Sequence, residues 1–301
     1  MKLTNLSIET SKIKNIKKNY AQGKKIPWWS KATIKIFLSL FPFPYHFWAK
    51  LNIFRHGDYH KSTKQIQAVF DKHLSYYKSN FGSNPTFMLE MGPGDTLAHS
   101  VSGKLINLKK FFFIDVGDFA LKEVQHYKDF SEFIGINLKS ETFQGLLTET
   151  NSIYHTDGLN SFSYIEDEVV DFSFSHAVIE HIEREEFQKT LKELYRVHKK
   201  HSFSSHWVDL HDHLGGSLNN LRFSNKFWET KLIKNSGFYT NRLRMSEIIS
   251  IAKDAGFEVK IEEAYSWEKA PISKSSMHSF FQRFSEEEMR ICTFLMFLFK
   301  K

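Results

Sequence analysis

The stretch Glu90-Met91-Gly92-Pro93-Gly94-Asp95-Thr96 follows a short apolar run at 86–89. Two glycines at the point where a strand turns toward a helix let the backbone approach a ligand closely, because glycine has no Cβ atom. A dinucleotide-binding loop would have a third glycine at position 97, where this chain has leucine. The stretch therefore predicts a cofactor loop in an α/β protein and disfavours a nicotinamide site.

On both sides of this loop, apolar runs alternate with helical patterns. The first predicted strand covers 86–89, and six more are predicted at 110–114, 152–155, 169–174, 202–208, 257–264 and 293–301. The intervening patterns predict helices at 61–79, 118–128, 177–198 and 246–255. The alternation predicts a doubly wound, mostly parallel seven-stranded α/β sheet over residues 61–301. Residues 1–60 form a basic, aromatic N-terminal extension with helical character.

The composition excludes several classes of protein. Of the 301 residues, 41% are hydrophobic and 25% are charged, which is typical of a soluble globular protein and not of a disordered or fibrous one. The single cysteine, Cys292, excludes an internal disulfide framework and a cysteine-rich metal site. A reducing, cytoplasmic location is the default expectation.

The positive charge is concentrated at the N-terminus. Residues 1–31 contain eight lysines and one acid, so they account for the whole net charge of +7. The rest of the chain lacks the basic excess that a nucleic-acid-binding fold usually carries, and the longest uncharged run, 36–49, is too short to span a membrane. The aromatic residues after the lysines favour a helix packed over an active-site mouth. The alternative is peripheral contact of residues 1–45 with an anionic membrane.

Acidic residues follow two of the other strands. Asp115 ends the second strand 21 residues after Gly94, where a carboxylate accepts hydrogen bonds from a ribose diol in nucleotide-binding sheets. Asp157 follows the third strand, and the fourth strand runs through Ser175-His176 into Ile179-Glu180-His181-Ile182. As a set, these motifs resemble the class I S-adenosylmethionine-dependent methyltransferases.

The resemblance implies a cofactor site for S-adenosylmethionine. Its residues would be, from the amino-acid end to the ribose, adenine and methyl group, Glu90, Gly92, Pro93, Gly94, Asp115, Val116, Asp157, Gly158, Ser175 and His176. The nucleic-acid and protein amino-group methylators of the family often have an Asn/Asp-Pro-Pro-aromatic motif after the fourth strand. The stretch 175–178 reads Ser-His-Ala-Val instead, which counts against that branch.

The stretch 206–216, HWVDLHDHLGG, follows the fifth strand and concentrates ionisable groups at the same edge of the sheet. A neutral hydroxyl that attacks a sulfonium methyl gains from losing its proton, and a histidine oriented by a carboxylate is a natural base. The candidate catalytic residues are His206, Asp209, Asp212 and His213, with His181 as a weaker candidate. Two alternatives are a divalent metal site, which ranks behind the base, and a polar loop that only caps a helix.

The stretches 44–48, 54–57, 217–224 and 240–246 are similar to bacterial methyltransferases associated with surface-polysaccharide biosynthesis. That similarity implies a saccharide or small-molecule acceptor, a sugar hydroxyl as nucleophile, and Arg222, Arg242 and Arg244 as a clamp for an acidic group. The rival hypotheses are a non-catalytic, cofactor-binding regulatory module and a nucleic-acid methyltransferase that uses the basic arm.

Overall fold

The computed structural model describes residues 13–16, 27–41 and 62–301. Its strands, in chain order, are β1 (Ile13–Ile16), β2 (Phe87–Met91), β3 (Lys110–Ile114), β4 (Ser152–His155), β5 (Val170–His176), β6 (His198–Asp209), β7 (Glu258–Trp267) and β8 (Ile291–Lys300). Its α-helices are α1 (Trp28–Ser39), α2 (Thr63–Phe81), α3 (His99–Leu105), α4 (Val124–Phe133), α5 (Phe143–Glu149), α6 (Phe187–Val197), α7 (Asn225–Trp228), α8 (Lys231–Lys234), α9 (Met245–Asp254) and α10 (Glu286–Arg290).

The strands form one sheet in the order β1-β7-β8-β6-β5-β2-β3-β4. Strands β2 to β6 pair in parallel, whereas β8 runs antiparallel to both of its neighbours, β6 and β7. All seven predicted strands are present, so the prediction of a doubly wound, mostly parallel sheet is confirmed. The sheet is mixed because the last strand enters in reverse between β6 and β7.

Helices cover both faces of the sheet, which explains the near-continuous apolar character of its strands. On one face, α2 buries Ile66, Phe70 and Leu74 in a cluster with Phe172 and Phe174 of β5. On the other face, α6 and α9 bury their apolar stripes in a second cluster, which includes Leu191, Leu194, Ile248 and Ile249. The two clusters make the three-layered α/β core.

The predicted helix 177–198 is wrong in its first half, because α6 begins only at Phe187. Ala177 has a left-handed φ of +56°, and only a 3₁₀ turn, Ile179–His181, follows it. The side-chain amide of Asn241 donates to the carbonyls of Ile179 (2.9 Å) and Ile182 (3.0 Å). A partner about sixty residues away thus takes carbonyls that a continuous helix would have used.

The N-terminal extension contributes a strand as well as a helix. Strand β1 pairs in parallel with β7 at the edge of the sheet, which makes eight strands in the described part of the chain. The lysine-rich sequence around β1 has no strand periodicity, so this strand is not predicted by the local pattern. None of the described helices is long and apolar enough to span a membrane. The motifs predicted at 44–48 and 54–57 lie outside the described residues.

Candidate functional site

The order of the strands reverses beside β2. From β2 the chain passes to β3 and β4 on one side, then returns to β5 on the other side of β2. The carboxyl ends of β2 and β5 lie next to each other, with Met91 opposite Ser175. Ligands of open α/β sheets bind in the crevice outside the strand ends at such a reversal. The glycine loop and the end of β5 therefore lie where a cofactor crevice is expected.

The loop after β2 depends on its glycines. Gly92 and Gly94 have φ angles of +65° and +68°, in the left-handed region that other residues avoid. A Cβ atom on Gly92 would lie 2.6 Å from both methyl carbons of Val178, which follows β5. Pro93 lies between the two glycines. The loop can thus pass close to the end of β5 only because residue 92 has no side chain.

Asp115 lies at the centre of this crevice. Its carboxylate accepts hydrogen bonds from the backbone N–H groups of Gly94 (3.0 Å) and Val116 (2.7 Å). Asp115 is 8% exposed, and burial raises its pKa to about 6, although the two N–H groups oppose the shift. Each carboxylate oxygen keeps a further lone pair that can accept a hydrogen bond from a ligand.

The loop after β4 completes the rim. The N–H of Gly158 donates to the carbonyl of Asp115 (2.9 Å), so the two strand ends are fixed together. Asp157 and Val116 are exposed at this rim, Val116 to 72%. The structure therefore brings together all the residues predicted for the ribose and adenine end.

Glu90 makes a buried ion pair. Its carboxylate lies 2.8 Å from His99 Nδ1, and His99 Nε2 donates to the carbonyl of Ile66 (3.0 Å). Burial lowers the pKa of His99, but the charge and hydrogen bond of Glu90 outweigh it and raise that pKa. The pair connects β2, α3 and α2 beneath the glycine loop, so Glu90 supports the loop through His99.

The two residues predicted to face the methyl donor differ in position. Ser175 is fully buried and bonds to His206 Nδ1 (2.7 Å), so its hydroxyl faces the interior and not the crevice. His176 is half-buried at the strand end and stacks on the Trp207 ring, with 5.8 Å between the centroids. Burial, with the nearby charges of Lys72 and His99, lowers the pKa of His176 to about 4. His176 is therefore neutral at pH 7.

His206 is not placed to act as a base. It is 0% exposed, and its ring nitrogens bond to Ser175 (2.7 Å) and Ser204 (2.6 Å). Burial lowers its pKa to about 3. The network continues through Ser173 to His198 inside the sheet. The prediction of a catalytic His206 is therefore wrong. His206 is a buried, neutral residue that connects β5 and β6 through its hydrogen bonds.

Asp212 is also structural. Its carboxylate accepts four backbone N–H groups of the following turn, from Leu214, Gly215, Ser217 and Asn219, at 2.6–3.2 Å. Asp212 is buried, so these N–H groups satisfy a charge that would otherwise be costly. Asp212 thus holds the turn after β6, and the prediction of a catalytic Asp212 is corrected to that of a structural residue.

Asp209 at the end of β6 pairs with His211. One carboxylate oxygen accepts both the backbone N–H and the Nδ1–H of His211. Burial lowers the pKa of His211, but Asp209 opposes it, and the result is a pKa of about 9. His211 is thus protonated at pH 7 and acts as a fixed positive charge, not as a base.

Glu180, which the sequence pattern does not mark as a candidate, lies beside this pair. It is 2% exposed, and its carboxylate makes no side-chain hydrogen bond among the described residues. Burial and the charge of Asp209 raise the pKa of Glu180 far above its usual range. Burial therefore favours the neutral form of Glu180, which lies behind the Asp209–His211 pair. Only its burial distinguishes it from an ordinary surface glutamate.

The fold brings His181 and His213 together. Their ring centroids are 4.8 Å apart, both residues are exposed, and His181 Nδ1 donates to the carbonyl of Tyr239 (3.1 Å). Leu214 and Tyr239, next to these histidines, pack in one cluster with Ala32 of α1. The candidate base thus consists of two accessible imidazoles beside a helix of the N-terminal extension.

The described residues contain no group of three His, Cys, Asp or Glu side chains that could hold a metal ion. The predicted arginine clamp is also not assembled. Arg242 and Arg244 are buried, and both guanidinium groups donate to backbone carbonyls, whereas Arg222 bonds to Asn219. A cavity of about 600 Å³ lies at the opposite end of the strands, between Phe81, His201 and Lys260. It is unrelated to the crevice.

No protein-family model matches the sequence, and no curated protein matches it either. Solved structures of methyltransferases do match. Phosphoethanolamine N-methyltransferase 2 of Haemonchus contortus, in complex with S-adenosyl-L-methionine, is 15% identical over 76% of this chain and 51% of that one, with a TM-score of 0.43. This chain therefore spans about half the length of that enzyme.

Two further structures match over more of their own length. A methyltransferase from Archaeoglobus fulgidus is 14% identical over 79% of this chain and 94% of that one, with a TM-score of 0.43. The plantazolicin methyltransferase BamL, in complex with a triazolic desmethylPZN analogue and S-adenosylhomocysteine, is 12% identical over 91% of this chain and 98% of that one, with a TM-score of 0.48. At such low identities and TM-scores, these matches carry no argument about function, which must come from the residues of the site.

Proposed function

We propose that this chain is an S-adenosylmethionine-dependent methyltransferase. The observation that carries the proposal is the nearly buried Asp115 carboxylate, held by Gly94 and Val116 at the strand reversal. Two backbone N–H groups fix its orientation and leave one lone pair on each oxygen, which suits the two adjacent hydroxyls of a ribose. The exposed rim at Asp157 and Gly158 lies where the adenine of such a ligand would rest.

The bound cofactor would supply a methyl group on a sulfonium ion. This chain's own residues would orient the acceptor and accept its proton, and His213 is our candidate base. Imidazole is the side chain whose ordinary pKa lies nearest to neutral pH. Desolvation lowers the pKa of His213, which keeps this imidazole neutral at pH 7 and able to accept a proton beside His181. Asp209 and protonated His211 would set the local charge. The hydrogen bond between Ser175 and His206 connects the ends of β5 and β6 inside the sheet.

The acceptor we propose is an oxygen nucleophile, a sugar hydroxyl on a saccharide of surface-polysaccharide biosynthesis. The histidine pair supports a hydroxyl, because a neutral alcohol needs a base when it attacks. The absence of an Asn/Asp-Pro-Pro-aromatic motif at 175–178 supports it further. A cytoplasmic location is part of the proposal, and the free, buried thiol of Cys292 agrees with it.

Calorimetry with S-adenosylmethionine tests the cofactor site. We expect one-to-one binding that Asp115→Ala weakens by about 10-fold or more. The matched control is Asp118→Ala, since Asp118 is a nearby exposed carboxylate whose partner is Lys122. Failure of the folded wild type to bind the cofactor would refute the proposal, and equal losses in both variants would refute the role of Asp115.

Methyl transfer from labelled cofactor to a saccharide pool tests the base. We expect His213→Gln to lower the rate by about 100-fold or more, with cofactor affinity unchanged. His201→Gln is the control, because His201 is exposed at the opposite end of the strands. Full activity of His213→Gln would move the role to His181. Cofactor binding without transfer to any acceptor would favour the regulatory module.

A further inference from the structure

Helix α1 has two unlike faces. Its inner face packs Ala32, with Trp28 and Ile36, against a cluster around Trp228 and Phe238. Its outer face and the residues after it carry large apolar side chains that are mostly exposed: Trp29 60%, Ile34 52%, Phe37 59%, Leu40 65% and Phe41 42%. These residues recur at helical spacing and form one apolar stripe on the surface.

The adjacent short helices extend this stripe and surround it with positive charge. Exposed Phe227 on α7 lies 5.4 Å, between ring centroids, from the Phe223 ring, which in turn contacts Trp28. Exposed Leu232 lies on α8, which contacts α1. Lysines precede both residues in sequence, Lys226 and Lys231, and both are exposed. We call this set of residues on α1, α7 and α8 the α1 surface.

Few acids oppose this charge. Residues 27–41 contain two lysines, Lys31 and Lys35, and no acid. The one acid on α7 and α8 or in their connection, Glu229, accepts a hydrogen bond from the Tyr239 hydroxyl (2.8 Å) and is turned toward the core. The α1 surface therefore has an apolar centre with the exposed lysines Lys226 and Lys231 beside it, whereas Lys234 of α8 is paired with Glu183 and Glu185.

We propose that the α1 surface docks on an anionic lipid bilayer. Aromatic and aliphatic side chains on one face of a helix insert at the boundary between headgroups and acyl chains, while lysines attract anionic headgroups. An exposed stripe of large apolar side chains, rimmed by polar residues, is typical of a surface that binds a protein partner or a membrane. The inner face of α1 meets Leu214 and Tyr239, so the bilayer would lie beside His181 and His213.

Vesicle co-sedimentation tests this inference, and it does not depend on cofactor binding. We expect the full chain to bind vesicles with about 30 mol% phosphatidylglycerol at least about 10-fold more tightly than pure phosphatidylcholine, and less tightly at high salt. The combined variant Trp29→Ser, Phe37→Ser and Leu40→Ser should lose about 10-fold or more in affinity. The matched control makes the same change at three equally exposed positions on other elements, Leu105, Phe133 and Tyr164.

Each alternative gives a different result. Equal binding of the α1 variant and the control would overturn the proposal, as would equal binding to neutral and anionic vesicles. Concentration-dependent dimerisation that the α1 variant abolishes would identify a second copy of the chain as the partner instead. If the α1 variant lost affinity for duplex DNA but kept its affinity for vesicles, the surface would be assigned to nucleic acid instead. Circular dichroism checks that both triple variants are folded.

Discussion

Substituting Gly92 by alanine perturbs the crevice in two separable ways. The left-handed φ of +65° costs a residue with a Cβ atom about 1 kcal/mol. The new Cβ would also lie 2.6 Å from the methyl carbons of Val178, and such overpacking costs about 1–3 kcal/mol. We therefore expect Gly92→Ala to lower the free energy of unfolding by about 2–4 kcal/mol.

Gly82 offers a control for the first effect alone. It ends α2 with a φ of +69°, and a Cβ atom there would meet nothing within 4 Å. Gly82→Ala should cost only about 1 kcal/mol. Val178→Ala in the Gly92→Ala background removes both methyl carbons. It should therefore restore the free energy of unfolding that was lost to overpacking, while the cost of the backbone conformation remains.

Urea unfolding of the single and double variants measures these terms, and calorimetry measures the cofactor affinity of each. We expect a coupling free energy of about 1–2 kcal/mol between positions 92 and 178. Equal losses for Gly92→Ala and Gly82→Ala would refute the close approach of the loop to Val178. A double variant as unstable as Gly92→Ala would refute it independently.

Three further predictions concern single carboxylates. The pKa of His211, about 9, lies above its ordinary value. The stability from its pair with Asp209 is therefore complete below about pH 6.5 and is lost as the pH rises toward 9. Asp209→Asn should flatten this pH dependence in urea unfolding, and an unchanged pH profile would contradict the prediction. The pKa of Asp115 is raised to about 6, so calorimetry should show that cofactor affinity falls as the pH drops below 6, by about 10-fold at pH 5. The affinity of Asp115→Asn should not change over this pH range. Asp212→Ala should cost about 2–4 kcal/mol in thermal unfolding, since it strands four backbone N–H groups, whereas exposed Asp157→Ala should change stability by less than about 0.5 kcal/mol.

The sheet was predictable because its strands are local signals. The strands predicted at 110–114 and 152–155 match β3 and β4 residue for residue. The signal is strong for β3, which is covered on both faces and mostly apolar, and weaker for the edge strand β4, which is Ser-Ile-Tyr-His. The direction of β8 was not predictable in the same way. It depends on pairing with β6 and β7, which are far away in sequence.

The start of α6, at Phe187, depends on tertiary contacts. The sequence from 177 to 198 has helical periodicity, but Asn241 binds carbonyls in its first turns. A hydrogen bond from a residue about sixty positions away cannot be predicted from the local sequence pattern. Strand β1 was missed for the same reason, because its partner is β7 at the other end of the chain.

The amino-acid sequence by itself determined the glycine loop, the strand ends and the acids that follow them, because turns and strand ends are set by residues within a few positions. Only the tertiary structure decided what the histidines can do. His206 and His213 lie seven positions apart, yet one is sealed in the sheet by serines and the other is exposed beside His181. The reason is that burial and hydrogen-bond partners, which set the charge and reach of an imidazole, come from residues that the fold brings together.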